Sequence, residues 1–442
     1  MKKKKSINTI FALLSLGFIA KILSMCARIL TTRQIGVDAM GLYQLATPCM
    51  LLVITLSQFG LPTAMATLVS RHLKKAKVLL ISGLSISFVI AIVMMVLTII
   101  FSPFVANNIL KNPNILPTLY ALALLIPLVC LSAIIKGFFL GLNEIELTST
   151  STVMEEVGRI LFIVFFLDYF ASISPAYGSF GAMIGVCVGE IFQSLYMIFF
   201  NNRRLYLRVN EFSKIKLWTR YEEGKSIIKI SLPLTLSRLI GSITYFLESI
   251  IITNLMLKYG YNINVITHDY GILSGYVMPL LLMPGFFASA YANYLLPNLS
   301  KSVGQRNYSL AKKKFKKVTI ISLITGTFFS LVFFIFPKEL MKLLYNTTEG
   351  YELVRLLALP FIIYYIESPI IASMHALNLT TKAFYSTVIS SIIRILILVL
   401  LTQKFAISTV AIATLVSVFV DVIINGYFVI DRLFFHNEKI VL

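Results

Sequence analysis

The sequence predicts an all-α polytopic membrane protein of about twelve transmembrane helices in two six-helix lobes, with both termini in the cytoplasm. Hydrophobic residues make up 58% of the 442 positions and charged residues only 13%, whereas soluble domains carry about 25% charged residues. The mean hydropathy is +0.86. The apolar residues form long runs, and the basic residues lie in clusters between them.

Apolar segments long enough to cross a hydrocarbon layer about 30 Å thick recur along the chain. Their approximate bounds are 7–30, 43–70, 78–104, 115–138, 151–170, 178–200, 227–256, 270–297, 318–337, 351–374, 382–402 and 404–430. The first segment follows a run of four lysines, as in a signal peptide. Met25 is not the small residue that a cleavage site needs, and Lys21 interrupts the apolar run, so we predict a retained first helix.

The formal net charge of +20 is distributed unequally between the loops. With a cytoplasmic N-terminus, the inner loops hold Lys2, Lys3, Lys4, Lys5, Arg71, Lys74, Lys75, Lys77, Lys301, Arg306, Lys312, Lys313, Lys314, Lys316 and Lys317. The outer loops hold Arg33, Lys111, Lys258, Lys338, Lys342 and Lys404. This is the positive-inside pattern, and it predicts cytoplasmic termini rather than a nucleic-acid partner.

The longest polar interruption divides the apolar segments six and six. We therefore predict an N-terminal lobe over residues 1–200, a basic cytoplasmic linker over 201–226 and a C-terminal lobe over 227–442. Each lobe begins with a helix that carries basic residues, and in each the second helix ends in a basic loop. Such a weak repeat is typical of transporters built from two bundles around a central site.

The first helix carries Lys21, Arg28 and Arg33. Lys21 and Arg28 are seven residues apart, so they share one helix face and lie roughly 10 Å from each other. A Lys or Arg at mid-membrane costs about 2.5–3.5 kcal/mol unless water or an anionic partner compensates it. We interpret this helix as the lining of a cationic substrate cavity, with snorkelling of Arg28 towards the interface as the alternative.

Three more basic residues inside apolar segments, Arg159, Arg238 and Arg394, are further candidates for that cavity. Arg238 follows Pro233, where it would face either the cavity or lipid headgroups. Arg394 has no acidic neighbour in sequence, which favours an inward side chain with a partner elsewhere in the fold.

Acidic residues in the apolar segments are candidates for ion coupling or for structural ion pairs. Glu248 would serve cation coupling or neutralise a cavity arginine. Glu155 and Arg159 are four residues apart and could pair along one helix, and Glu156 lies beside them. Arg355 and Asp421 are assigned to the membrane interface, where long side chains snorkel.

Prolines within the apolar segments predict bends. The motif at 279–285 is the best candidate for a hinge, because Pro279, Pro284 and Gly285 fall within two turns. A static kink is the alternative for each proline.

The sequence lacks the phosphate-binding glycine loop of nucleotide-driven transporters, and the outer loops lack the carboxylates expected of a membrane glycosyltransferase, so we predict no enzyme activity. The histidines His72, His268, His375 and His436 show no metal spacing. The cysteines Cys26, Cys49, Cys130 and Cys187 all lie in apolar segments and are interpreted as core residues. No cofactor is predicted, and coupling to protons, sodium or the membrane potential stays open.

The N-terminal stretch carries a set of residues that extends along the first helix: Lys21, Ile22, Leu23, Arg28, 30–33, Ile35, Gly36 and 40–44, with support from 59–70, 136–144 and 270–305. In these residues the chain resembles the stage V sporulation protein B group of the multidrug/oligosaccharidyl-lipid/polysaccharide (MOP) exporter superfamily, which also contains lipid II flippases. The resemblance implies a V of two lobes, alternating access and a lipid-linked sugar carried on a diphosphate. It also implies that Lys21, Arg28 and Arg33 bind that diphosphate.

Two features depart from the resembling group. Ser24 stands where relatives commonly have Gly, which could loosen a close helix contact. The chain carries about twelve predicted helices where many relatives have fourteen, so a helix pair that guides the lipid tail would be missing.

We therefore expect a multi-pass protein of the bacterial plasma membrane that flips an undecaprenyl-diphosphate-linked saccharide, such as a peptidoglycan or spore-cortex precursor or another polysaccharide repeat. Its expected partners are this lipid, membrane lipids and proteins of cell-wall synthesis. The alternatives are a drug or cation antiporter of the same superfamily and a non-transporting scaffold. A basic cavity disfavours a carrier of cationic drugs.

Overall fold

The computed structural model describes residues 2–201 and 217–435, with side chains described at 16–199, 222–232, 235–236 and 238–435. Within these ranges the chain is almost entirely helical and contains no β-strand. This confirms the predicted all-α class. Most of the predicted linker, residues 202–216, lies outside the described residues.

The chain forms two compact units, residues 1–246 and 247–442. The helices that begin in the first unit are α1 (Lys2–Gln58), α2 (Leu61–Arg71), α3 (Ala76–Phe104), α4 (Leu116–Gly141), α5 (Ile145–Phe162), α6 (Asp168–Ile173), α7 (Pro175–Asn201) and α8 (Leu217–Lys258). The unit boundary falls inside α8, so residues 227–246 belong to the first unit by their contacts. The predicted lobe bounds stay a prediction.

The helices of the second unit after α8 are α9 (Ile263–Tyr270), α10 (Met278–Leu282), α11 (Gly285–Gly304), α12 (Tyr308–Ile335), α13 (Pro337–Tyr345), α14 (Tyr351–Ala358), α15 (Tyr364–Ala376), α16 (Thr380–Phe405) and α17 (Ser408–Ile430). A π-helical segment, Gly271–Val277, joins α9 to α10. A 3₁₀ segment, Pro360–Ile363, joins α14 to α15.

Eight helical stretches of the described residues are long and apolar enough to cross a membrane, or up to ten if each of two bent pairs is one span. The first stretch, Leu16–Arg71, has 56 residues, more than twice the roughly 20 that one crossing requires. The protein is therefore a multi-pass membrane protein, as predicted. The count of twelve helices and the cytoplasmic position of the termini stay predictions.

Large apolar side chains cover the outside of several helices. On α3, Phe88 is 66% exposed, Ile100 is 63% exposed and Phe101 is 55% exposed. A soluble protein rarely exposes a continuous apolar face of this kind to water, whereas lipid solvates it. Because an α-helix forms its backbone hydrogen bonds internally, this face leaves no backbone polar group unsatisfied in lipid.

Glycine backbones break the long N-terminal helix where the sequence predicted two segments. Gly36 interrupts α1 with φ 73° and ψ 179°, a conformation that is essentially restricted to glycine. Phe59 and Gly60 then both adopt positive φ, 46° and 61°, and α2 begins with Pro62 in its first turn. The predicted segments 7–30 and 43–70 thus lie on either side of a kink rather than of a loop.

The core of the first unit lies where α2 packs against α4. Leu61, Met65 and Phe138 are fully buried there. A Cβ atom on Gly137 would lie 2.3 Å from the carbonyl oxygen of Pro62, so only glycine lets α4 approach α2 this closely.

Tyr365 on α15 is a buried tyrosine that joins several elements of the second unit. Its hydroxyl donates to the carbonyl oxygen of Leu281 at 2.6 Å, and Ser322 on α12 donates to the Tyr365 carbonyl at 2.5 Å. A Cβ atom on Gly326 would lie 2.4 Å from the Tyr365 ring. The ring therefore occupies the space that this glycine leaves.

Replacing Gly36 by alanine is expected to lower the stability of the protein by about 1–3 kcal/mol, because the positive φ strains any residue with a Cβ. The measurement is the midpoint of thermal unfolding in detergent. Gly17→Ala is the control, since Gly17 is helical, has ordinary φ and has open space around it. Its substitution should be neutral or stabilising by up to about 1 kcal/mol. Equal midpoints for the two variants would contradict the assigned role of Gly36.

Candidate functional site

The three predicted cations of α1 all lie before the kink at Gly36. Lys21 and Arg33 are exposed and Arg28 is partly buried. In a regular helix Lys21 and Arg28 are about 20° apart around the axis, whereas Arg33 is about 140° from Arg28. The α1 backbone therefore places Lys21 and Arg28 on one face and Arg33 on another.

Hydroxyl groups beside these cations bond back to the helix. Thr31 donates to the carbonyl of Ala27 at 2.8 Å, and Thr32 donates to the carbonyl of Arg28 at 2.8 Å. Both threonines thus satisfy their own hydroxyls inside the apolar environment. Lys21 makes no hydrogen bond or ion pair with any side chain that the structure describes. Its charge is left for solvent, lipid headgroups or a ligand.

Arg238 lies on α8 but belongs to the first unit. Its side chain is exposed, and Nη2 donates to Oγ1 of Thr63 on α2 at 3.3 Å. The first unit therefore contains five of the six predicted substrate cations, Lys21, Arg28, Arg33, Arg159 and Arg238. Of these, Lys21, Arg33 and Arg238 are exposed.

Arg394 and Glu248 form a buried ion pair in the second unit. The side chain of Glu248 is 1% exposed and that of Arg394 is 22% exposed. Arg394 Nη2 also donates to Oγ1 of Thr414 on α17 at 3.0 Å. Of the two roles considered for Glu248, this geometry matches neutralisation of an arginine. It also gives Arg394 the distant partner that its lone position in the sequence required.

Arg159 lies with Glu155 and Glu156 on α5, where it interacts electrostatically with Glu155. Among the described residues it forms no ion pair within hydrogen-bonding distance. Glu155 accepts instead from the side-chain amide of Gln193 on α7. The hydrogen bond of Glu155 is therefore to Gln193 on the neighbouring helix α7 rather than to Arg159 on its own helix.

Two further charged residues, one on α4 and one on α7, interact with the charged residues of α5. Lys136 on α4 donates to Oγ1 of Thr152 at 2.8 Å, and Glu190 on α7 accepts from the hydroxyl of Ser132. Sequence reasoning named Glu190 only among the acidic residues of apolar segments, and it gave neither residue a role in the site. Glu190 is one of the few acidic residues in an apolar segment, and Lys136 is the basic residue of the 136–144 motif, so both signals were visible.

The helices of the cluster can approach each other because glycines face them. A Cβ atom on Gly189 would lie 2.9 Å from the Glu155 carbonyl oxygen, and one on Gly158 would lie 2.4 Å from the Phe192 ring. Close contact of α5 and α7 is therefore what brings Gln193 within reach of Glu155.

The candidate hinge coincides with a bend. The helical stretch ending at Leu282 and α11 beginning at Gly285 meet at 47°. Pro279 lies in the first turn of α10, and Pro284 directly precedes α11. A Cβ on Gly285 would lie 2.9 Å from the Tyr364 ring. The bend is present, and movement about it stays a prediction.

The model of a family described as polysaccharide biosynthesis protein matches residues 6–303. The chain belongs to this family. A second family model with the same description matches residues 298–438. The two matches together cover most of the chain.

The relatives come from Bacillus subtilis (strain 168). Stage V sporulation protein B is 27% identical over 410 residues, which cover 91% of this chain and 79% of the relative. Lipid II flippase MurJ is 24% identical over 344 residues, which cover 70% of this chain and 61% of the relative. These similarities agree with the predicted multi-pass protein of the bacterial plasma membrane.

Solved structures of the MOP superfamily share the fold. An inward-facing multidrug resistance MATE family transporter has a TM-score of 0.66 at 14% identity, and the match covers 96% of this chain and 98% of the transporter. A MOP superfamily transporter from Pyrococcus furiosus, described as having a binding pocket of reverse polarity, has a TM-score of 0.60 at 14% identity, covering 96% and 95% of the two chains. The family match, the relatives and the shared fold confirm the predicted resemblance to the MOP superfamily.

Glu248→Gln should destabilise the protein by about 3–5 kcal/mol, because it leaves the Arg394 guanidinium buried without its counter-charge. The double variant Glu248→Leu with Arg394→Leu should lose much less, since neither charge is then desolvated. Unfolding in detergent measures both.

The matched control is the pair between Lys75 and Glu223 in the first unit, with Nζ and Oε1 2.7 Å apart and the lysine 61% exposed. Glu223→Gln there should cost about 0–1 kcal/mol. A Glu248→Gln variant as stable as Glu223→Gln would show that the buried pair is not a structural constraint.

Proposed function

We propose that this protein flips an undecaprenyl-diphosphate-linked saccharide, a precursor of peptidoglycan, of spore cortex or of another polysaccharide repeat, from the inner to the outer leaflet by alternating access. The observation that carries the proposal is the set of cations on α1 in a member of the polysaccharide biosynthesis family. Lys21 is exposed, and Arg28 lies about two turns further along α1 on the same helix face.

A diphosphate carries about two negative charges and cannot cross a hydrocarbon layer about 30 Å thick without replacing its hydration. Lys and Arg side chains supply that replacement, and an Arg guanidinium binds phosphate oxygens through two parallel hydrogen bonds. Lys21, Arg28, Arg33 and Arg238 all belong to the first unit, so this unit provides the binding site for the anionic headgroup. The polyprenyl tail stays in the surrounding lipid.

Arg159 and Arg394 contribute less directly to headgroup binding. Arg394 is neutralised by Glu248, and Arg159 lies among the carboxylates of α5 and α7. We assign Arg394 to stabilising the second unit and Arg159 to the acidic cluster. A transporter of this kind needs two states that bind the headgroup differently, and a proton, a sodium ion or the membrane potential would bias them.

Lys21→Ala and Arg28→Ala should each reduce outward exposure of the lipid-linked precursor by about tenfold or more, because one charged hydrogen bond contributes about 1.5–3 kcal/mol. The measurement is headgroup accessibility of a lipid-linked peptidoglycan precursor at the outer face of cells depleted of other flippases. All proteins are compared at equal membrane levels.

Lys74→Ala is the matched control, since Lys74 is an exposed basic residue of the same unit in the loop after α2. It should flip as the unaltered protein does. Equal exposure with all four proteins would contradict the cationic site. Exposure with none of them would leave another lipid-linked glycan, an antiporter or a scaffold for wall-synthesis proteins as the function.

A further inference from the structure

Three carboxylates meet inside the first unit, where α4, α5 and α7 pack together. Glu155 interacts electrostatically with Glu190 and with Glu156, and Glu190 also interacts with Glu156. Lys136 acts on both Glu155 and Glu190, and Arg159 acts on Glu155. Three negative groups and two positive groups leave one excess negative charge when all are ionised.

Neutral donors hold two of the three carboxylates in place. Gln193 donates to Glu155, and Ser132 donates to Glu190. Lys136 is fixed from the other side, because it donates to Thr152 at 2.8 Å. The cluster is therefore positioned by side chains of all three helices.

The third carboxylate has no such donor. Glu156 is 8% exposed, and its buried Oε2 has no hydrogen-bond partner among the residues that the structure describes. The Nε atom of Arg159 is buried and unsatisfied in the same way. A buried ionised oxygen without a donor loses its hydration and gains no hydrogen bond to compensate for it. One proton added to a carboxylate oxygen of the cluster removes the excess negative charge and makes that oxygen itself a donor.

The composition of the cluster favours a proton over a metal cation. The Lys136 ammonium already interacts with the carboxylates and would repel a second cation, whereas a proton adds to a single oxygen. Among the described residues, no group of three or more His, Cys, Asp or Glu has the arrangement of a metal site. The thiols of Cys130 and Cys187 also face Glu190, and they are the remaining titratable groups on α4 and α7 that interact with it.

We propose that Glu155, Glu156 and Glu190 together bind one exchangeable proton and that its uptake and release bias the two states of the transporter. The proton comes from the aqueous phase and adds to one carboxylate oxygen, and no other bond forms or breaks. The coupling part of this inference rests on the proposed flippase function, whereas the binding of the proton does not.

Infrared difference spectroscopy of the purified full-length protein tests the proton site without any substrate. A protonated carboxyl group has a carbonyl stretch that is distinct from that of a carboxylate and shifts in D₂O. The unaltered protein should show such a band from one buried carboxyl group in a titration with choline chloride as the only salt. Glu156→Gln should lose it, and Glu156→Asp should retain it.

Glu146→Gln is the matched control, because Glu146 is exposed on the same helix and its loss should leave the band intact. Size-exclusion elution of each variant verifies folding. Absence of the band in the unaltered protein, or its full retention in Glu155→Gln, Glu156→Gln and Glu190→Gln alike, would overturn the proposal. So would loss of the band at constant pH when sodium replaces choline, since a metal ion would then occupy the cluster.

The precursor-exposure assay then separates coupling from flipping. Dissipating the proton gradient should reduce exposure in the unaltered protein severalfold and have no effect in Glu156→Gln. A protein that shows the proton band but no exposure of any precursor would retain the site and refute the flippase. A protein that flips the precursor equally well with and without the gradient would retain the flippase and refute the coupling.

Discussion

A charge inside this fold must be compensated by other side chains, because hydrocarbon and packed helices offer it little solvation. Two groups of buried charges satisfy this constraint differently. In the second unit the Glu248 carboxylate pairs with the Arg394 guanidinium, which also donates to the Thr414 hydroxyl. In the first unit the carboxylates outnumber the cations beside them, and a buried oxygen of Glu156 is left unsatisfied. The ion pair of Glu248 and Arg394 suits a fixed contact, and the carboxylate cluster around Glu156 suits a group that changes its charge.

Backbone breaks determine where these groups lie along the chain. The kink at Gly36 ends the helical stretch that carries Lys21, Arg28 and Arg33, and the bend before Gly285 separates α10 from α11. Glycines also control lateral approach: Gly137 admits Pro62, and Gly189 admits the backbone of Glu155. In a membrane, where apolar residues gain little by leaving lipid for a helix interface, such close contacts supply much of the packing energy.

Local pattern predicted most of the fold but only part of the site. Apolar length was sufficient to predict an all-α multi-pass protein, because it acts within a single segment. The face shared by Lys21 and Arg28 likewise follows from spacing along one helix. The partners of Arg394 and Glu155 did not follow, since Glu248 is 146 residues from the former and Gln193 is 38 residues from the latter. Those contacts depend on the packing of α5 on α7 and on the position of Glu248 on α8 beside Arg394 on α16.

The cations differ in whether a carboxylate already compensates their charge, and this difference distinguishes cations proposed to bind the substrate from cations that stabilise the fold. An arginine already neutralised by a buried carboxylate, as Arg394 is, gains little from a phosphate, because the new contact must first break the old one. Lys21 has no described partner to give up, so a diphosphate would gain the full value of its charge. Position in an apolar segment made both residues candidates, yet their different compensation makes Lys21 the better candidate for binding an anionic headgroup. The proposed preference for an anion over a cationic drug rests on the uncompensated charge of Lys21 on α1.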